Sequence, residues 1–452
     1  MDPILFGPRK GAPVAPLPLF GGSALAQLPF PGLPRCADRP GELAGEPAVY
    51  FPPLGNNASS ATPPLLPGSI DAAREAGEWQ LRQRRAVRLR EQRALRWTMR
   101  RSANRLTKRK NVAKCGRCRY QESTVGLAVG EGGAYFTGVV RCGSVWECPV
   151  CMHTISSRRS EEVRETVARH RATGGGAYML TLTLPHDAGD ELRAMRKHVT
   201  KAWSKVQAGE PYKRVRERIG LVGTIRALEV THGPNGWHPH LHILVLTKVK
   251  CEDRATGEID AAGRAYVDFV YRRWADHVTR RNEITGKIYR APTREHGVSF
   301  VVSHKDEYIS KLGLADEVTR GSWKKAAEFG GYRTPLQILH DHSRTAYGTP
   351  ENKRAAALWG EYADAMVGAK QLTWSRGLRK LYEMGEEQTD LEIVEAETEA
   401  PAVHYISADV WDGKLKWNME LQLRLLYAAD CGGIPAVMAE IDVINGLSRV
   451  PF

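Results

Sequence analysis

The sequence predicts an α+β chain, with a central antiparallel sheet and flanking helices, preceded by a cysteine-rich element and followed by a mainly helical C-terminal region. Three observations predict it. The run "WHPHLHILVL" from Trp237 to Leu246 follows a β-branched stretch from Leu221 to Val230 across the turn residues "HGPNG", which is the pattern of a hairpin. Around it, strand, helix, hairpin, helix, strand and helix patterns follow one another, which suits an antiparallel sheet with helices. Upstream, five of the eight cysteines crowd between Cys115 and Cys151.

Taken in order, residues 1–75 are rich in Pro, Gly and Ala with little periodicity and are expected to stay disordered. Residues 76–110 form a basic helical segment. From Arg82 to Lys110 there are thirteen Lys or Arg against one acid, Glu91, and a block this one-sided is expected to touch phosphate. The cysteine-rich element covers 111–160 and the α+β domain 161–330. In that domain "GGGAYMLTLTLPH" reads as a strand ending at Pro185, and "AAGRAYVDFVYRRWADHVTRR" as an amphipathic helix. Residues 331–452 read as mainly helical, broken by the acidic linker "GEEQTDLEIVEAETEAP".

Composition narrows the partners. A formal net charge of +14 and a pI near 9.4 point to a polyanion. No apolar run reaches a membrane-spanning length, and prolines break the N-terminal stretch, so neither a signal peptide nor a membrane anchor is read there. A cytoplasmic protein with no membrane partner is expected. In that reducing setting, crowded cysteines point to metal rather than disulfides.

Alternation gives the hairpin its chemistry. Residues two apart share a face of a strand, so His238, His240 and His242 project together, opposite Leu241, Ile243 and Val245. Folding about "HGPNG" sets Glu229 across from His240 and on the histidine face. One carboxylate and two imidazoles suit a divalent ion such as Mn²⁺ or Mg²⁺, with positions left for substrate oxygens. The alternative is a hairpin whose histidines only face water.

Cys115-Gly-Arg-Cys118 and Cys148-Pro-Val-Cys151 are two Cys-x-x-Cys knuckles, with Cys142 six residues before the second. Four thiolates from such a set hold a tetrahedral structural Zn²⁺. Five candidates compete for four places, and spacing favours the two knuckles.

A metal site in a basic protein suggests phosphoryl chemistry, which needs a nucleophile. Among fifteen tyrosines, Tyr308 lies in "HKDEYISKL", where helical spacing puts His304, Tyr308 and Lys311 on one face. A packed or solvent-facing helical tyrosine is the alternative.

Across about residues 110–315 the set resembles the HUH endonuclease superfamily, and within it the rolling-circle replication initiators of small plasmids, close to the actinobacterial, streptomycete-like branch. "YMLTLTLPH" resembles the family's first motif strand, "EVTHGPNGWHPHLHILVL" its metal motif and "EYISK" its Tyr-x-x-Lys motif. "CGSVWECPVC" followed by "SSRRSEE" is similar to its cysteine-rich element.

The resemblance implies an HUH fold and a nickase that acts on single-stranded and origin DNA. Tyr308 would attack and remain on the 5′ end, leaving a 3′-hydroxyl primer. Lys311 would steady the phosphate or phenolate, and Glu229, His240 and His242 would hold the catalytic ion. Host helicase and DNA polymerase would be partners. Where the family often has a Glu as terminating base, one helical turn before the Tyr, this chain has His304, with Asp306 and Glu307 nearby. The family pattern also favours Cys142, Cys148 and Cys151 plus one upstream cysteine. An HUH transposase or relaxase, or a non-catalytic zinc-dependent DNA-binding regulator, are the other readings.

Overall fold

The structure, a computed structural model, describes residues 87, 91–130, 133–253, 256–302, 331–396 and 401–447. Segment 1–75 and the stretch holding His304, Asp306, Glu307, Tyr308 and Lys311 lie outside them. The described strands are β1 (Val125–Gly130), β2 (Gly133–Thr137), β3 (Gly176–Leu182), β4 (Leu221–Gly233), β5 (Gly236–Thr247), β6 (Val298–Val302), β7 (Leu372–Trp374) and β8 (His404–Ile406). They form two sheets in the orders β2-β1-β8 and β6-β3-β5-β4-β7. Every pairing is antiparallel. The helices that matter are α1 (residues 91–106), α2 (Lys110–Lys114), α3 (Pro149–Ala172), α4 (Leu192–Val206), α5 (Glu210–Arg218), α6 (Ala261–Val278), α7 (Pro335–Arg344), α8 (Pro350–Ala365), α9 (Asp390–Ala396) and α10 (Met419–Gly446). The α+β class and the antiparallel sheet read from the sequence are those of the structure.

The β4–β5 hairpin is the spine of the larger sheet. Its strands close at Gly233↔Gly236 across Pro234 and Asn235, and Gly236 takes φ +83°, which a residue with a Cβ adopts at a cost. The register runs Thr231↔His238, Glu229↔His240 and Ala227↔His242. Alternation then sorts the faces. Leu241, Ile243 and Val245 join Leu228, Val230 and the buried side of α4 and α6 in the main core. Ala227, Leu244 and Leu246 pack on the other face against Val163 and Val167 of α3.

Helix α3 joins the two sheets. Pro149 opens it at a position where the missing N–H costs nothing. Its first turns bury Cys151, Met152 and Ile155, and its later turns cover the far half of the main sheet. The bidentate Arg379–Glu162 pair, at 3.0 and 3.1 Å, anchors it there.

The smaller sheet has its own core, in which Trp97 of α1, Phe136 of β2, Trp411 and the α10 residues Leu425 and Leu426 meet. Segments from both ends of the described chain therefore build one module. The C-terminal region, expected to be mainly helical, also contributes β7 to the main sheet and β8 to the small one. The hairpin β1–β2 inside the cysteine-rich element was not read from the sequence.

Among the described residues of the basic segment, two arginines turn inward. Arg93 and Arg100 are 7% and 5% exposed, Arg93 pairs with Asp430, and Arg109 pairs with Glu147 at 2.8 Å. On α1, Arg101 and Arg105 remain exposed. Leu95 and Met99 share one buried face of the helix in the main core, and Trp97 on another side packs into the core of the smaller sheet.

Candidate metal centres

Two clusters of metal-ligating side chains form among the described residues. The first is Cys115, Cys142, Cys148 and Cys151, all buried. Cys115 Sγ lies 3.6 Å from both Cys148 Sγ and Cys151 Sγ, and Cys142 Sγ lies 3.7 Å from Cys151 Sγ. A regular tetrahedron with metal–sulfur bonds of about 2.3 Å has sulfur–sulfur edges of about 3.8 Å. The thiols are therefore spaced as a Zn²⁺ site needs. Hydrogen bonding from Cys115 first, with burial, pushes the Cys142 and Cys148 thiols well up. The same hydrogen bonds push the Cys151 thiol well down. A cation is what lets several crowded thiols shed their protons together.

Cys118, which spacing favoured, stands outside this group. Cys115 ends α2, and Gly116 at φ +66° turns the chain away. Cys118 O then accepts from Val140 N at 2.8 Å, so its backbone is committed to the loop that carries Cys142 in. Buried Arg100 packs beside this loop, where a Cβ on Gly116 would collide with its guanidinium. Burial pushes that guanidinium below its usual value, and the Cys115 and Cys148 thiols oppose the shift.

The second cluster is Glu229, His240 and His242, partly exposed on the α3 face of the main sheet. Glu229 Oε2 lies 2.6 Å from His242 Nε2 and 3.2 Å from His240 Nε2. The other ring nitrogens are engaged: His242 Nδ1 with Thr181 Oγ1 at 3.0 Å, and His240 Nδ1 with His238 O at 3.3 Å. With an ion between them, Nδ1–H donating in each ring would leave both Nε2 lone pairs for the metal, as in a ligand set held by its outer partners. Burial works against the Glu229 charge, but His240 and His242 outweigh it and hold the carboxyl well below its usual range. The donor atoms lie within 4.8 Å of one another, and three protein ligands leave positions open.

His238 shares the face but not the cluster. Burial pushes it down to about 3, with His240 and His186 pressing the same way, so it stays neutral. Its Nδ1 lies 3.4 Å from His186 Nδ1. His186 had no role in the sequence reading, although it ends the "YMLTLTLPH" stretch, and Thr181 was missed with it. The buried His186 Nε2 has no hydrogen-bond partner among the described residues.

Residues 137–251 match a family model described as a replication protein. Over that stretch the chain is similar to replication proteins. The matched stretch contains Cys142, Cys148 and Cys151 and all of the Glu229–His240–His242 cluster. Over 295 residues the chain is 30% identical to a Streptomyces lividans protein named "Protein rep", covering 54% of this chain and 64% of that one. A "Protein rep" of Streptococcus pneumoniae is 30% identical over 105 residues, covering 22% of this chain and 31% of its own length. A Streptomyces cyanogenus protein named "Neomycin resistance protein" is 38% identical over 146 residues, 27% of this chain and 33% of that one. The chain thus spans less than two thirds of each of these relatives. No solved structure matches it. No described helix is long and apolar enough to cross a membrane.

Proposed function

We propose that the chain is a plasmid rolling-circle replication initiator, which nicks one strand of its origin through a 5′-phosphotyrosyl intermediate. The observation that carries this reading is the convergence of Glu229, His240 and His242 on one sheet face inside the stretch similar to replication proteins. A bound Mn²⁺ or Mg²⁺ would polarise the scissile phosphate and stabilise charge on the leaving oxygen. Glu229, His240 and His242 would hold that ion, and Thr181 and the His238 carbonyl fix the imidazoles.

The Tyr308 oxygen attacks phosphorus, the bond to the 3′ oxygen breaks, and the 3′-hydroxyl is freed with a proton while the 5′ phosphate stays on tyrosine. Lys311 steadies the phosphate or phenolate. His304 is the base for release, with Glu307 as the alternative, since Asp306 and Glu307 point about 160° and 100° away from Tyr308 around an ideal helix. Chain length permits this. Val302 pairs with Tyr178, and His242 with Thr181, which puts Val302 about 14 Å from His242 at ordinary strand spacings. The chain from Val302 to Tyr308 can span up to about 20 Å.

A Zn²⁺ held by Cys115, Cys142, Cys148 and Cys151 would tie the end of α2 and the loop after β2 to the start of α3, and DNA is the partner, with host helicase and polymerase acting downstream. EDTA should abolish nicking of origin DNA, and Mn²⁺ or Mg²⁺ should restore it. His240→Ala should nick on the order of 10²-fold more slowly or worse, the loss typical when a group stabilising transition-state charge is removed. Nicking by His240→Ala at the wild-type rate rejects the site.

A further inference from the structure

The helical side of the main sheet carries a feature that the nicking site does not use. Helices α4 and α6 pack on Leu241, Ile243 and Val245, the face turned away from Glu229, His240 and His242. Between α4 and the loop after α6 lies a cleft of about 500 Å³, lined by Lys197, Lys201, Lys205, His277, Arg280 and Arg281 among others. The lysines recur every fourth residue, so they form one row along α4.

Half of these groups are answered, His277 by Asp276 at 3.8 Å among them. Glu283 is the acid in the lining, and it pairs with Lys201. Arg280 pairs with Asp276 at 2.9 Å. Lys197, Lys205 and Arg281 have no ion-pair partner among the described residues. The positive potential registers on His277, which burial pushes down, with Arg273, Arg280 and Lys205 adding to that and Asp276 opposing it.

The walls are fastened. Asn282 is 2% exposed and donates to Ala194 O at 3.1 Å, while its Oδ1 accepts from Ile284 N and Thr285 N. That pins the loop to α4. His198 Nε2 meets Val278 O at 2.8 Å, and Arg273 donates to the carbonyls of Lys205, Val206 and Ala208 at the end of α4. A rigid cleft that holds unpaired cations together bears their mutual repulsion, and a polyanion relieves it.

We propose that this cleft is a second DNA-contact surface, gripping the phosphate backbone of duplex DNA that flanks the strand in the Glu229–His240–His242 site. The proposal rests on the replication-initiator reading. From Lys197 to Lys205 is about 12 Å along the helix axis, over which one strand of B-DNA presents three to four phosphates at ~3.4 Å each. A strand lying on the Glu229 face is on the wrong side of the sheet to enter the cleft. A duplex continuing past the sheet edge meets it.

The test uses the full chain and the triple variant Lys197→Gln/Lys205→Gln/Arg281→Gln, with a random-sequence duplex and its single strand as probes. Affinity is measured against salt concentration. The variant should lower the slope of log affinity against log salt for the duplex by about 2 to 3, since each phosphate contact contributes ~0.9. Its slope for the single strand, its zinc content and its thermal unfolding should match wild type. An unchanged duplex slope overturns the proposal. So does an equal fall in both slopes, which would put the single strand in the cleft, or lost affinity for poly-glutamate with the duplex slope intact, which would mark a site for acidic protein. Wild-type protein that binds neither probe would instead sink the initiator reading itself.

Discussion

At Cys118 and Cys142 the sequence offers two equivalent thiols, and the backbone separates them. Cys118 O is bonded to Val140 N, and the chain then carries Cys142 to 3.7 Å from Cys151. Cys142→Ser should therefore lower the zinc content of the purified chain and weaken zinc binding by more than ~100-fold, since even outer partners of a metal ligand cost 10- to 100-fold. Cys118→Ser should keep one zinc per chain. Elemental analysis of both variants decides, and zinc loss in Cys118→Ser with retention in Cys142→Ser would reverse the assignment. Spacing could not resolve this choice. A Cys-x-x-Cys pair is legible in one dimension, while the exchange of Cys118 for Cys142 depends on Gly116 reversing the chain at φ +66°. The other cluster was legible, because a strand's period of two and a turn fix which residues face one another. A slip of one residue would send His240 and His242 into the core and Leu241 out of it, so the apolar face enforces the Glu229↔His240 pairing.

At the scale of elements, α1 and α10 hold each other through charge that the sequence reading assigned to phosphate. Arg93 and Asp430 are each 8% exposed in their side chains, and Asp430 also accepts from Ala134 N at 2.6 Å. Asp430→Ala would strand a buried guanidinium and orphan a strand N–H. It should cost about 3–5 kcal/mol, read as a lower urea midpoint, and a loss below ~1 kcal/mol, typical of an exposed pair, would show that Arg93 reaches solvent. None of this was legible, since the partners lie 337 residues apart. Nor could β7 and β8 be read, because three-residue strands are too short to show a period. The long elements α4, α6 and β5 were legible because each repeats its apolar spacing several times.

Across the whole molecule, acid should act through buried imidazoles. Burial first, then Arg344 and Arg333, push His340 down to about 4, whereas in the unfolded chain it takes up a proton near 6.5. Between those values the unfolded state binds the extra proton, so stability falls as pH is lowered from about 6.5 toward 4. His340→Gln should flatten the dependence of unfolding free energy on pH by up to about 1.4 kcal/mol per unit in that window. An unaltered slope would mean that His340 is already charged in the folded chain.

The proposed reaction joins the Glu229–His240–His242 face to a tyrosine beyond the described residues, so one measurement tests that union. Supercoiled DNA carrying the origin of the chain's own replicon is incubated with Mn²⁺ and wild-type, His240→Ala or Tyr308→Phe protein, then boiled in detergent and examined for protein on the nicked strand. Wild type should give open circles with protein on the 5′ end. Tyr308→Phe should bind the origin yet leave no adduct, and His240→Ala should leave little of either product. An undiminished adduct from Tyr308→Phe would move the nucleophile elsewhere, and nicked DNA without attached protein from wild type would contradict the covalent mechanism.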